Sequence, residues 1–160
     1  MNDSIDIRGK LGFKELSFSD LGTGNSHQTH IGLYGRVLET IGNNAIIPSS
    51  ILIFGNTYHT LDCFFDRIQN PDGSFRSPKI RCGQSNSIVR KIREYAIKYR
   101  EPLYLLWFGL TNGKIVFFLM TSHQEDFKIF KNELIDFGVY DFSISLTNYI
   151  MTRLNTIPTL

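Results

Sequence analysis

Hydrophobic positions along this chain predict more strands than helices. Apolar or alternating stretches bounded by turn residues predict strands at 12–18, 51–54, 58–68 and 75–82, and a shorter apolar stretch lies at 31–34. The residues Asn70-Pro71-Asp72-Gly73 form a strong turn signal, so 58–68 and 75–82 are predicted to pair as a hairpin. Residues 36–41 have the pattern of a brief helix that Gly42 ends, and 20–26 are expected to form an exposed loop.

The second half contains two helical patterns around a strongly apolar hairpin. Residues 88, 92, 95 and 99 are apolar and share one helix face, which predicts a helix over 87–99 that stops before Pro102. The runs 103–110 and 114–120 flank Thr111-Asn112-Gly113 and predict a hairpin of buried strands. Ser122 and Glu125 predict a capping box that opens a second helix, with Gly138 as its left-handed end.

The tail over 140–151 is predicted to form one or two final strands. The helices do not alternate regularly with the strands, which favours an antiparallel barrel or sandwich with helices at its ends. No internal repeat or long linker divides the chain, so 1–160 is expected to be one domain.

Composition indicates an ordinary globular protein. The 160 residues contain no apolar run of the roughly 18 residues that a membrane span needs. The first residues are polar and acidic, which is unlike a secretory signal, so we expect a cytoplasmic protein with no membrane partner. The two cysteines, Cys63 and Cys82, lie on the two strands of the predicted hairpin, where they could face each other, but they are expected to be buried free thiols.

Charge is distributed unevenly along the chain. Residues 74–100 carry eight basic side chains and one acid, Glu94, whereas the rest of the chain has an excess of five acids. Such asymmetry is typical of an anion-binding face, although a solvated helix face would explain part of it.

Enzymatic patterns are weak. Pro71-Asp72 and Asp126-Phe127-Lys128 formally match a metal-dependent nuclease, but the first pair is better explained as a turn and the trio as a helix start. The four histidines, at 27, 30, 59 and 123, lack zinc-site spacing with the cysteines; His27 and His30 could share a metal, without an evident third ligand. We therefore expect a binding domain with no catalytic residues, metal or cofactor.

Several motifs resemble one family of DNA-binding domains. Leu16-Ser17, Asp20, Gly22 and His27-Gln28 have the spacing found in the N-terminal effector domain of EcoRII-type restriction endonucleases. Phe64-Phe65, the turn, Arg76, Lys79-Ile80-Arg81 and Gly83 are similar to its later segments, as is the stretch 105–121, so the resemblance covers about residues 11–140. Gly32-Leu33-Tyr34 lies two residues later than in that family, and the basic helix is a departure from it.

The resemblance implies a mainly β fold, an open antiparallel pseudobarrel of the plant B-three type with about seven strands and two or three flanking helices. It also implies major-groove recognition of double-stranded DNA by two arms, an N-arm at 17–30 and a C-arm at 74–86. In such enzymes this domain regulates a separate nuclease domain, which would act in cis or in trans. The alternatives are a stand-alone metal-dependent nuclease and a protein-interaction barrel.

The candidate DNA contacts follow from these arms. On the N-arm side they are Lys14, Ser17, Asp20, Gly22, Thr23, Asn25, Ser26, His27, Gln28 and His30. On the C-arm they are Ser74, Arg76, Ser77, Lys79, Arg81, Gln84 and Asn86, with phosphate contacts from Arg90 and Lys91.

Each contact has a chemical rationale and a plainer alternative. Gln28 has the groups to read adenine, Asp20 to accept from a cytosine amino group, and arginines to read guanine or hold phosphate. Alternatively, Asp20 closes a turn with its own backbone, and His27 satisfies a loop carbonyl. Arg76, Lys79 and Arg81 could instead be cross-strand partners of Asp62 and Asp66, and the cations of the 87–99 helix a solvated face.

Overall fold

One eight-stranded sheet, curled into a half-barrel, organises the chain. The structure is a computed structural model that describes residues 5–23, 29–38, 41, 44–83, 86–158 and 160. The strands are β1 (Ile7–Glu15), β2 (His30–Gly32), β3 (Asn44–Phe54), β4 (Thr57–Asp66), β5 (Lys79–Arg81), β6 (Tyr104–Leu110), β7 (Ile115–Met120) and β8 (Gly138–Tyr140). Their order across the sheet is β2-β5-β4-β3-β7-β6-β1-β8.

This architecture confirms the prediction of a mainly β, open pseudobarrel with flanking helices. Two details differ. The described residues form eight strands rather than about seven, and β3 pairs parallel with β7, so the sheet is mixed rather than wholly antiparallel. The parallel pair joins two antiparallel hairpins, β3–β4 and β6–β7, through their inner strands.

Four α-helices and one short 3-10 helix accompany the sheet in the part of the chain that the structure describes. They are α1 (Phe18–Leu21), α2 (Ile88–Tyr99), α3 (Glu125–Glu133), α4 (Ile144–Leu154) and the 3-10 helix Gly35–Val37. The helix predicted over 87–99 is confirmed as α2, with the Ser87 side chain accepting from the Arg90 amide at 3.3 Å. The brief helix predicted over 36–41 is the 3-10 turn.

The C-terminal third contains three wrong predictions. Residues 144–154 form a helix rather than a strand, because Leu146, Ile150 and Leu154 bury one helical face. The second helix begins after Gln124, so Ser122 does not cap it. Gly138 does not end this helix, which closes at Leu134; it begins β8 instead.

Two apolar cores cover the two faces of the sheet. One packs α2 against the inner side of β2, β5 and β4, and the other packs α3 and α4 against the central strands. Every residue of β7 is buried, as the continuous apolar run predicts. Trp107 is fully buried within the first core. Among the described helices, α2 packs on the inner side of the β2–β5–β4 end.

Cys63 and Cys82 are free thiols, as predicted, but Cys82 is half-buried rather than buried. Cys63 is buried in the first core, and this burial raises its pKa well above the ordinary value for a thiol. None of the described helices combines the length and the apolar character that a membrane crossing requires.

Candidate nucleic-acid interface

The end of the predicted N-arm lies beside the predicted C-arm at one end of the sheet. β2, which ends the N-arm, pairs antiparallel with β5 of the C-arm. In this register His30 lies opposite Arg81, and Gly32 lies opposite Lys79. Directly opposed residues of an antiparallel pair have Cβ atoms about 4.5–5.5 Å apart, so the side chains of His30 and Arg81 adjoin, whereas Gly32 has no side chain to meet Lys79.

Backbone hydrogen bonds extend this pairing beyond the strands. The Cys82 amide donates to the Thr29 carbonyl at 2.9 Å, and the Leu33 amide donates to the Pro78 carbonyl at 2.8 Å. Residues 29–30 of the N-arm and 81–82 of the C-arm are therefore joined by the backbone pairing.

Alternation along the paired strands places charge on the outer side. Ile31 and Ile80 are fully buried against the core. Their neighbours His30, Lys79 and Arg81 consequently point to the opposite side, where Arg81 is exposed and the other two are half-buried. A row of three basic side chains thus follows the outer side of the two arms.

One carboxylate contacts this basic row. The Arg81 Nε donates to the Asp66 carboxylate of β4 at 2.7 Å, and Nη2 also contacts it. The side chains are 45% and 19% exposed, so water screens the pair, and such ion pairs contribute only about 0–1 kcal/mol. The cross-strand alternative for Arg81 is therefore what the structure contains.

Burial and the neighbouring cations lower the pKa of His30. Burial lowers its pKa below the ordinary value, and the charges of Lys79 and Arg81 lower it further. Asp20 acts in the opposite direction and Arg93 adds a smaller lowering effect. His30 is therefore neutral at pH 7 and has hydrogen-bonding capacity without a charge of its own.

Asp20 does not face the solvent as the loop prediction implied. It is buried at the start of α1, where its carboxylate accepts from the Ser17 amide at 2.9 Å and the Ser17 hydroxyl accepts from the Asp20 amide at 3.1 Å. Lys14 pairs with the same carboxylate at 2.9 Å and donates to the Gly32 carbonyl at 3.0 Å. Asp20 and Lys14 therefore hold the base of the N-arm, which is the turn-closing alternative.

The centre of the N-arm begins at the end of α1. Gly22 has φ +68 and ends this helix, and the Thr23 amide donates to the Phe18 carbonyl at 3.0 Å. Four predicted contacts lie outside the described residues: Asn25, Ser26, His27 and Gln28. Their base-reading roles stay predictions.

Arg93 of α2 contacts both arms. Its Nε and Nη2 donate to the Asp20 carbonyl at 3.3 and 3.2 Å, and its Nη1 lies 3.3 Å from the Cys82 Sγ. Sequence reasoning assigned Arg93 to a solvated helix face and missed this role. The available signal was its position four residues after the buried Val89, beside the apolar stripe of α2.

The two other candidate cations of α2 have different surroundings. Arg90 donates twice to the Gly83 carbonyl of the C-arm, at 3.3 and 3.2 Å, and is exposed. Lys91 forms an ion pair with Glu94 at 3.4 Å on the helix surface. Arg90 thus places a further cation beside Gly83 of the C-arm, whereas Lys91 fits the solvated helix face.

The beginning of the C-arm is a compact turn. Ser74 donates its amide and its hydroxyl to the Asp72 carboxylate at 2.9 and 2.6 Å, and these bonds lower the pKa of Asp72. Arg76 donates its Nε to the Asn70 side chain at 3.2 Å and is exposed, as is Ser77.

The end of the C-arm returns to β4. The Asn86 carbonyl accepts from the Asp62 amide at 2.9 Å. Gln84, another predicted contact, lies outside the described residues.

The formal nuclease carboxylates have structural roles. Asp72 serves the turn just described, whereas Asp126 is buried and accepts from Arg153 at 2.9 and 3.0 Å and from the Tyr149 hydroxyl. Burial, with the hydrogen bond to Asp126, raises the pKa of Tyr149. Within the described ranges, no three histidine, cysteine or acidic side chains are grouped as metal ligands would be.

Comparison of the chain with known protein families, curated protein sequences and solved structures gives no match.

Proposed function

We propose that this chain binds double-stranded DNA in a sequence-specific manner, as a recognition module that targets or regulates a nuclease domain in cis or in trans. The observation that supports this proposal is the pairing of the two arms, which aligns His30, Lys79 and Arg81 on one outer surface. The binding step needs no cofactor.

Phosphate contacts set the register in this proposal. Arg76, Lys79, Arg81 and Arg90 lie in this order along the C-arm and the start of α2. From Arg76 to Arg81 a strand-like chain spans about 16 Å at roughly 3.3 Å per residue. If each of the four cations neutralises one phosphate, the slope of log K against log salt concentration is about −3.6.

In this proposal, side chains that can form paired hydrogen bonds recognise the bases. The Arg81 guanidinium can release Asp66 and donate two bonds to a guanine, a contact that contributes roughly 1–3 kcal/mol of discrimination. Gln28, in the N-arm centre, is proposed to read adenine.

A mobility-shift titration tests this function. A duplex containing CCWGG, the site of EcoRII and a first choice of probe, is compared with a randomised pool and an unrelated duplex, at moderate salt with and without magnesium. Selective retention without cleavage is the expected result, and sequencing the retained pool then identifies the site. Magnesium-dependent cleavage would favour the nuclease alternative.

A groove beside the N-arm favours a second candidate function, a protein-interaction domain. It lies between α1 and α2, with Phe18 76% and Ile97 71% exposed along it. Exposed aromatic side chains are typical anchors of protein interfaces. Absence of binding to every duplex in the titration would discard the DNA proposal in favour of this one.

A further inference from the structure

Cys63 and Cys82 lie opposite each other on neighbouring strands. In the antiparallel β4–β5 pair, Phe64 is the partner of Arg81. One further step along both strands brings Cys63, within β4, opposite Cys82, which directly follows β5. Residues 64–81 separate the two cysteines along the chain, so it is the pairing of the strands that brings them together.

Both thiols lie on the inner side of the sheet. Cys63 belongs to the apolar core on that side, and Cys82 packs against the same core. The helix that covers this core is α2, whose Arg93 has its Nη1 3.3 Å from the Cys82 Sγ. Because directly opposed side chains on one face of a sheet adjoin, the two thiols are neighbours.

The backbone pairing also suits a covalent link. The Cys82 amide donates to the Thr29 carbonyl at 2.9 Å, toward β2 and away from β4. Opposite Cys63, Cys82 therefore occupies a non-hydrogen-bonded position, where facing Cα atoms are about 4.5 Å apart. Disulfides span Cα separations of about 4.4–6.8 Å, so the strands need not move apart to accept one.

The two thiols differ in their access to solvent. Cys82 is half-buried, whereas Cys63 is buried. An oxidant in solution therefore reaches Cys82 first. Cys63 already lies beside it and can complete a link without leaving the core.

We propose that Cys63 and Cys82 form a reversible disulfide when the protein meets a low-molecular-weight disulfide such as glutathione disulfide. In the first step the Cys82 sulfur loses its proton and attacks one sulfur of that disulfide, so a mixed disulfide forms and one glutathione leaves with the proton. In the second step the Cys63 sulfur loses its proton and attacks the Cys82 Sγ, and the other glutathione leaves with that proton.

The two thiols together lose two electrons and two protons, and glutathione disulfide gains them as it becomes two molecules of glutathione. An excess of reduced glutathione reverses both steps. The proposal depends only on the two thiols and stands independently of the proposed DNA recognition.

The disulfide closes the open end of the β4–β5 hairpin. Residues 67–78, which connect the two strands and include Arg76 of the C-arm, then belong to a covalent loop. A link of this loop length restricts the unfolded chain, so it stabilises the folded one, and the fold in turn favours the link.

Incubation of the purified protein with mixtures of reduced and oxidised glutathione, followed by acid quenching and mass spectrometry, tests the proposal. We expect first an adduct with one glutathione and then a product that has lost only two hydrogen atoms. Because burial raises the pKa of Cys63, the second step should be the slower one and should accelerate as the pH rises.

Two equilibrium measurements follow from the geometry. In the folded protein the disulfide should withstand a glutathione mixture roughly tenfold or more reducing than the same disulfide withstands in urea, measured as the square of the reduced over the oxidised concentration. The oxidised protein should also unfold at a urea concentration about 1 M higher than the reduced protein.

Two single variants are the matched controls. Cys63→Ala should stop at the glutathione adduct of Cys82, whereas folded Cys82→Ala should stay unmodified because its remaining thiol is buried. A glutathione adduct of the parent protein that never resolves would overturn the proposal. So would a disulfide between two chains on a non-reducing gel, or an internal disulfide that is no more stable in native buffer than in urea.

Discussion

Arg93 provides the sharpest test of how the arms are held. The substitution Arg93→Lys keeps the positive charge of α2 but removes the planar fork that contacts Asp20 and Cys82 together. The three bonds are long, at 3.2–3.3 Å, and the sulfur is a weak acceptor. At about 0.5 kcal/mol for each bond, the low end of the usual range, the loss is roughly 1–2 kcal/mol in the free energy of unfolding.

Urea denaturation measures this loss. With a slope of about 2 kcal/mol per M, the midpoint should fall by roughly 0.5–1 M. Hydrogen exchange should also accelerate at the Cys82 amide, which donates to Thr29 between the arms, because Arg93 holds both sides of that junction.

Arg100→Lys is the control, since it makes the same replacement at an exposed position just after α2. If Arg93→Lys stays within about 0.5 kcal/mol of the parent, the range of ordinary surface substitutions, Arg93 does not hold the arms. On DNA, the charge-conserving variant should keep its affinity for random duplexes and lose affinity for the specific site. If Arg93→Lys keeps the affinity of the parent protein for both the specific and the random duplex, arm spacing does not set specificity.

Three further predictions follow from the same surface. Arg81→Ala should weaken binding to the specific duplex more than to a random one in competition assays, and equal losses would identify Arg81 as a phosphate contact only. Because the pKa of His30 is lowered in the folded protein from the ordinary 6.5, the unfolded chain binds more protons between the folded and the unfolded pKa. Stability should therefore fall as the pH drops from about 6.5 through the lower folded pKa, and thermal unfolding of His30→Gln should show a smaller fall. Gly83→Ala and Gly73→Ala should each lose about 1 kcal/mol in urea denaturation, because both positions have positive φ. Only at Gly83 would the new Cβ lie 2.4 Å from the Phe64 ring, adding roughly 1–3 kcal/mol, so equal losses would contradict the overpacking argument.

The sequence predicts secondary structure correctly in segments where one hydrophobic periodicity dominates. The β6–β7 hairpin is confirmed because two continuous apolar runs flank a short turn, and α2 because its apolar residues return every three or four positions. Residues 144–154 were ambiguous, since a tract rich in β-branched and aromatic residues has strand propensity while Leu146, Ile150 and Leu154 have helical spacing. Tertiary packing against the sheet decides in favour of the helix.

Long-range partners explain the other differences. The parallel contact of β3 with β7 joins segments about 60 residues apart, and no local pattern specifies it. Asp20 looks like an exposed loop carboxylate until Lys14 of the neighbouring strand is placed beside it. The basic character of the C-arm, by contrast, is a property of composition and follows from the sequence alone.

The two outermost strands of the sheet, β2 and β8, are each only three residues long. An approaching molecule therefore finds few free amide and carbonyl groups with which to extend the sheet. Short terminal strands are a common protection against aggregation, and β2 adds the basic neighbourhood of Arg81 and Lys79, which repels a second copy of itself. A chain whose central strands are almost wholly apolar thus presents only short outer strands to a second copy of itself.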